Sequence, residues 1–93
     1  MNLRLKYRND LLHSHNGGIF TASPELISFL DSLHRNGQKD VVLIDDKENP
    51  VMIESILDFT KAIADVYFAA SNAYHHEFAK LRKARNVKTV VGK

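Results

Sequence analysis

The sequence predicts an α+β fold: a small antiparallel β-sheet with one short helix and one long C-terminal amphipathic helix. Three observations carry this. Apolar residues recur at helical spacing from Ile53 to Leu81 with no Gly or Pro between Val51 and Val91. A second, shorter apolar stripe is bracketed by a start signal at Ser23-Pro24-Glu25 and a stop signal at Asn36-Gly37. Between the two stripes, the β-branched run Asp40-Val41-Val42-Leu43-Ile44 and the apolar Val51-Met52-Ile53 flank a polar turn, the pattern of a hairpin. A chain of 93 residues holds one domain, residues 1–93, with a thin core.

In chain order, Leu3-Arg4-Leu5-Lys6-Tyr7 alternates apolar and charged residues and predicts a half-buried strand. The polar stretch Asn9 to Gly18 ends in Asn16-Gly17-Gly18. Its Asn-Gly step favours positive φ and closes a hairpin between residues 3–13 and a short strand at Ile19 to Ala22. In the short helix, Ser23 caps, Pro24 sits where its missing N–H costs nothing, and Glu25 places an acid in the first turn. Leu26, Ile27, Leu30 and Leu33 form its buried face with Phe29 at the margin, and Asn36-Gly37 supplies a left-handed stop. Val41 to Ile44 reads as a strand buried on both faces. Asp45 to Pro50 reads as a solvated turn, with Pro50 at the edge or first position of the next strand.

The long helix, about residues 54–86, organises the rest. Ile53, Ile56, Leu57, Thr60, Ile63, Ala64, Tyr67, Ala70, Tyr74, Phe78 and Leu81 fall on one side. Glu54, Asp58, Lys61, Asp65, Asn72, His76 and Lys83 fall on the other. Ser55 and Asp58 stand in an S-x-x-D capping relation, and the basic end suits the negative pole of the helix dipole. Such a helix runs to roughly 45 Å, whereas a compact domain of this size has a radius of gyration of about 12 Å. The other sixty residues cannot cover its whole stripe. Its far end is therefore expected to pack against another copy or another protein, through Tyr67, Ala70, Tyr74, Phe78 and Leu81. After it, Val87-Lys88-Thr89-Val90-Val91 alternates weakly, as a last strand or a tail.

Composition narrows the function classes. The chain has no cysteine, which excludes disulfides, thiolate metal sites and a cysteine nucleophile. No apolar run approaches a membrane span, and the first residues lack the apolar core of a signal peptide, so a soluble, cytoplasmic protein is expected. The formal net charge is only +2, but its distribution is uneven. Glu25 to Asp65 holds nine acidic residues against four basic ones, whereas Lys80, Arg82, Lys83, Arg85, Lys88 and Lys93 follow Glu77 without an acid. Arg4, Lys6 and Arg8 form a second basic cluster. Asymmetry of this kind suits a polyanion partner or copies that find each other through opposed patches.

Motifs of chemistry are sparse. His13-x-His15 places two imidazoles on one face of a strand, as a metal pair requires, while His75 and His76 lie 100° apart on a helix. Neither has a third ligand at metal-site spacing. Asp45-Asp46-Lys47-Glu48-Asn49-Pro50 fails as a calcium loop, with Lys47 third and Pro50 sixth. Asn16-Gly17-Gly18 lacks the spacing of a phosphate loop. Ser14, Ser23 and Ser32 have histidines nearby in sequence but no recognisable base-and-orienter arrangement, and Ser23 already caps a helix. No cofactor, metal or small-molecule substrate is implied, and the protein is read as not an enzyme.

Val41 to Ile44, Asp46-x-x-Asn49-Pro50-x-Met52-Ile53, Asp58-Phe59, Tyr67, Tyr74, Phe78 and Leu81-x-Lys83-x-Arg85 together resemble small uncharacterised proteins of T4-like marine bacteriophages. The resemblance covers roughly residues 18 to 86. It implies a small α+β phage protein that works by assembling or binding, and it carries over no catalytic residue. The function expected from the sequence is thus a non-enzymatic, homo-oligomeric interaction or assembly module that self-associates through its long helix. The alternative is a nucleic-acid-binding module using Lys80, Arg82, Lys83, Arg85 and Lys88, whose charges spread around the helix and would meet phosphates without reading sequence.

Overall fold

A computed structural model describes residues 2–91 of the chain, with side chains described for residues 2–84. The order of elements is α1 (Leu3–Asp10), β1 (Leu12–His15), β2 (Gly18–Thr21), α2 (Pro24–Arg35), β3 (Val41–Ile44), β4 (Pro50–Ile53) and α3 (Ile56–Val91). The architecture is α+β as expected, with its strands in two separate two-stranded antiparallel sheets, β1–β2 and β3–β4.

The first element corrects the sequence reading: Leu3 to Tyr7 is helical, not a strand. Leu-x-Leu-x-Tyr is ambiguous over five residues, because Leu3 and Tyr7 also share a face at helical i,i+4 spacing. Two local features support the helix. The Arg4 N–H donates to Asn2 Oδ1 (2.8 Å), which caps the first turn, and Lys6 pairs with Asp10 at 2.8 Å across one turn. Tertiary packing completes it. The Tyr7 ring stacks on Tyr74 of α3 with centroids 4.6 Å apart, and the Tyr7 and Ser71 hydroxyls lie 3.1 Å apart. Leu5, which a strand would have buried beside them, faces solvent.

The first hairpin turns through Asn16 (φ 47°) and Gly17 (φ 80°), the two positive-φ residues of a tight turn. Its register pairs His13 with Phe20 and His15 with Gly18. α2 follows its predicted signals closely: the Leu26 N–H donates to Ser23 Oγ (3.1 Å), and Gly37 ends the helix at φ 87°. Leu30 is fully buried on its inner face, and Leu26, Ile27 and Leu33 pack against the core.

In the second hairpin Val41 opposes Ile53, Val42 opposes Met52, Leu43 opposes Val51, and Ile44 opposes Pro50. Leu43, Val51 and Ile53 are buried and Val41 packs on them, whereas Val42, Ile44 and Met52 are exposed. The expectation that β3 is buried on both faces is overturned. Its inner face meets the core and nothing within the described residues covers its outer face.

The Asp45–Asn49 turn is also not simply solvated. Asp45 is buried and its carboxylate accepts three backbone N–H groups, from Asn49 (2.8 Å), Lys47 (3.0 Å) and Ile19 (3.0 Å). Asp46 N–H donates to Ile19 O (2.8 Å), and the Asp46 carboxylate accepts from the Thr21 N–H and hydroxyl. These two acids tie the edge of one hairpin to the turn of the other. Gly18 sits in the join: a Cβ there would lie 2.5 Å from Val51 Cγ2.

α3 begins at Ile56, later than the start read from the sequence, because Ile53 is the last residue of β4. Ser55 is its cap, accepting from the Asp58 N–H at 3.2 Å. Ile56, Phe59, Ile63 and Ala70 are its buried residues. Phe59 therefore takes the place the apolar stripe had given to Leu57, which is exposed. The Phe59 ring lies 5.1 Å from Phe20, 5.1 Å from His15 and 5.9 Å from His13, so the first hairpin rests on it. The segment Val87–Val91, read as a last strand or tail, continues the helix.

Candidate functional site

What covers α3 decides which residues of the site expected on it stay open. Both α2 and α1 pack on it, α1 against its middle, where Tyr7 meets Ser71 and Tyr74. The last cover comes from α1, where Leu3, Lys6, Tyr7 and Asp10 flank Ala73, Tyr74 and Glu77. From Phe78 to Ala84 every residue is exposed. The molecule accordingly measures 61 × 26 × 15 Å with a radius of gyration of 17.6 Å, well above the value of about 12 Å for a compact chain of this length.

This geometry divides the predicted contact residues. Ala70 is 3% exposed and is used within the chain, so it leaves the candidate contact set. Tyr67 packs against the core, and the Tyr74 ring is stacked under Tyr7. Phe78 (46% exposed) and Leu81 (56%) remain open, three residues apart on the same stripe. A shallow hollow of about 280 Å³ lined by Ser71, Tyr74, His75 and Phe78 adjoins them. Phe68, next to Tyr67 and so about 100° around the helix from it, does not fill a seam within the chain but projects from α3 into solvent.

The basic residues surround this open end. Lys80, Arg82 and Lys83 are exposed. Lys80 lies 3.9 Å from Glu77, while Arg82 and Lys83 form no ion pair among the described residues. The side chains of Arg85 and Lys88 lie outside the described residues. At 100° per residue Lys80 and Lys83 lie about 60° apart on one side of the helix and Arg82 lies on another, so the charge is not confined to a single edge.

The histidines form a second feature, at the other end of α3. His13 and His15 share a face of β1, their rings 22° from parallel with centroids 6.5 Å apart. They line an open cleft of about 480 Å³ together with Glu54, Ser55, Asp58 and Phe59. Burial, and secondarily the charge of His15, lowers the pKa of His13, so its neutral form is favoured. His15 Nε2 is buried without a hydrogen-bond partner among the described residues. Among the described residues no group of three or more His, Cys, Asp or Glu side chains is placed to hold a metal ion. Both imidazoles meet the Phe59 ring at steep angles, 59° for His13 and 63° for His15. His75 and His76 are exposed on α3.

A third surface has no counterpart in the sequence reading. The outer face of β3–β4 presents Val42, Ile44, Pro50 and Met52 to solvent without a polar residue among them. Its only signal in the sequence is the unbroken apolar run itself, which asks for cover on both sides. No helix among the described residues is long and apolar enough to cross a membrane.

Comparison with known protein families, curated proteins and solved structures found no match to this chain.

Proposed function

We propose that this protein is a non-enzymatic assembly module that associates with copies of itself through the projecting end of α3. The supporting observation is that α3 outruns its cover: the apolar stripe continues through Phe78 and Leu81 after the last contact with α1. Two open apolar residues at i,i+3 spacing on a rigid helix are suited to a helix-in-groove or helix-pairing contact. The charge asymmetry favours encounter between copies, because the acid-rich stretch from Glu25 to Asp65 meets its complement in the basic end of α3.

Light scattering on the purified chain tests this. A mass that is a multiple of 10.6 kDa is expected, falling to one chain in Leu81→Glu. Tyr74→Glu is the poorer probe, since it would also break the stack with Tyr7 and loosen α1. A wild-type monomer across the micromolar range contradicts the proposal.

A second reading rests on the exposed Lys80, Arg82 and Lys83, which could neutralise phosphates of nucleic acid. Binding to oligonucleotides that weakens steeply between low and physiological salt would support it. No binding at low salt would dispose of it.

A further inference from the structure

Phe78 and Leu81 alone make too small a contact for a stable complex, which needs on the order of 1,200 Å² or more in total. A complementary surface is required, and the fold holds one. The cross-strand register puts Val42 beside Met52 and Ile44 beside Pro50, so the four residues form one continuous apolar face. Val42 is 52%, Ile44 64% and Met52 49% exposed. Antiparallel sheets with one wet face normally alternate apolar and polar residues; this hairpin does not. The bare area is on the order of 300 Å², the size of the largest apolar patch on a typical monomer, which is often a functional one.

Its rim is acidic. Asp40, Asp46, Glu48 and Glu54 are exposed around the hairpin, with Lys39 and Lys47 as the basic residues there. The open end of α3 has the opposite character, Phe78 and Leu81 among Lys80, Arg82 and Lys83 with no acid after Glu77. The two surfaces also lie at opposite ends of the molecule. β4 ends at Ile53 and α3 starts at Ile56, so the hairpin sits at the beginning of a helix along which Phe78 and Leu81 lie about 33–38 Å further on.

We propose that the tip of α3 of one copy docks on the outer face of the β3–β4 hairpin of a second copy, and reciprocally, in a two-fold antiparallel dimer. Antiparallel pairing along α3 brings each tip to the other chain's hairpin, so the contact is made twice and the assembly closes. Apolar residues meet at the centre, and the basic residues that flank Phe78 and Leu81 face an acidic rim, which sets orientation. This rests on the self-association proposed above and names its surface.

A double-mutant cycle on the full chain tests it. Ile44→Lys puts a cation opposite the basic tip, and Leu81→Glu puts an acid opposite the acidic rim. Both positions are exposed, so circular dichroism and melting temperature should be near those of wild type. Each single variant is expected to weaken the dimer by at least about tenfold in Kd, measured by sedimentation. The double variant, with Lys facing Glu, is expected to recover at least about threefold over the product of the two losses. Strict additivity, or an Ile44→Lys dimer as tight as wild type while Leu81→Glu dissociates, overturns the docking and leaves self-association standing. A monomeric wild type overturns both.

Discussion

Phe59 supports the first hairpin, and its removal tests how the domain is held together. The side chain is 2% exposed and touches three rings, Phe20, His15 and His13. A buried aromatic removes about 150–250 Å² from water, which at roughly 25 cal/mol per Å² is about 4–6 kcal/mol before any relaxation. Substitutions of Phe by Ala in cores cost about 3–5 kcal/mol, and loss of edge-to-face partners favours the upper half of that range. Phe59→Ala is thus expected to destabilise by about 4 kcal/mol. A domain of this size has on the order of 5 kcal/mol or little more in total. The midpoint of urea unfolding should fall to near zero denaturant. Phe59→Leu keeps most of the volume and should cost about 1–2 kcal/mol. Phe68→Ala serves as the control, because its side chain projects into solvent and its loss should move stability by about 0.5 kcal/mol or less. Equal midpoints for Phe59→Ala and Phe68→Ala would show that the hairpin does not rest on α3.

Gly18→Ala should destabilise by about 1–3 kcal/mol in the same assay, because its Cβ would overlap Val51 Cγ2 and crowd Asp45 and Phe20. Gly17→Ala meets no atom but is strained by its φ of +80°, so both glycines resist substitution for different reasons. Stability should fall on acidification in two windows. His13 is held below its usual value by burial, so the unfolded chain takes up its proton first as pH drops through about 6.5. Asp45 is held below the usual carboxylate range chiefly by the Asn49 and Ile19 N–H groups. Its contribution is present above about pH 4 and lost as pH falls further through its depressed pKa. Asp45→Asn should melt lower at neutral pH and show a shallower dependence of melting temperature on pH below 4; an unchanged slope would mean the carboxylate does not brace the turn.

How much of this fold was legible depended on whether the deciding interactions were local. α2 was readable from end to end, since Ser23-Pro24 and Asn36-Gly37 set both its termini within the segment itself. The Asn16-Gly17 turn and the Ser55 cap were legible for the same reason. α1 was not, because five alternating residues satisfy two periods and the contact with Tyr74 lies far along the chain. The role of Asp45 was hidden too: one of its donors, Ile19, belongs to another hairpin. On α3 the sequence indicated an amphipathic helix longer than its cover. It could not indicate which apolar side chains α1 would claim, and so Ala70 and Tyr74 were grouped with Phe78 and Leu81. The outer face of β3–β4 was visible only as an apolar run that a buried strand would explain equally well.

Solution mass by light scattering, at low and at physiological salt, bears most directly on the proposed self-association. A particle of twice the 10.6 kDa chain at both salt concentrations, somewhat tighter at low salt where the tip and hairpin charges are least screened, is the expected result. A single chain at both concentrations would contradict it, leaving the end of α3 as a surface for a different partner.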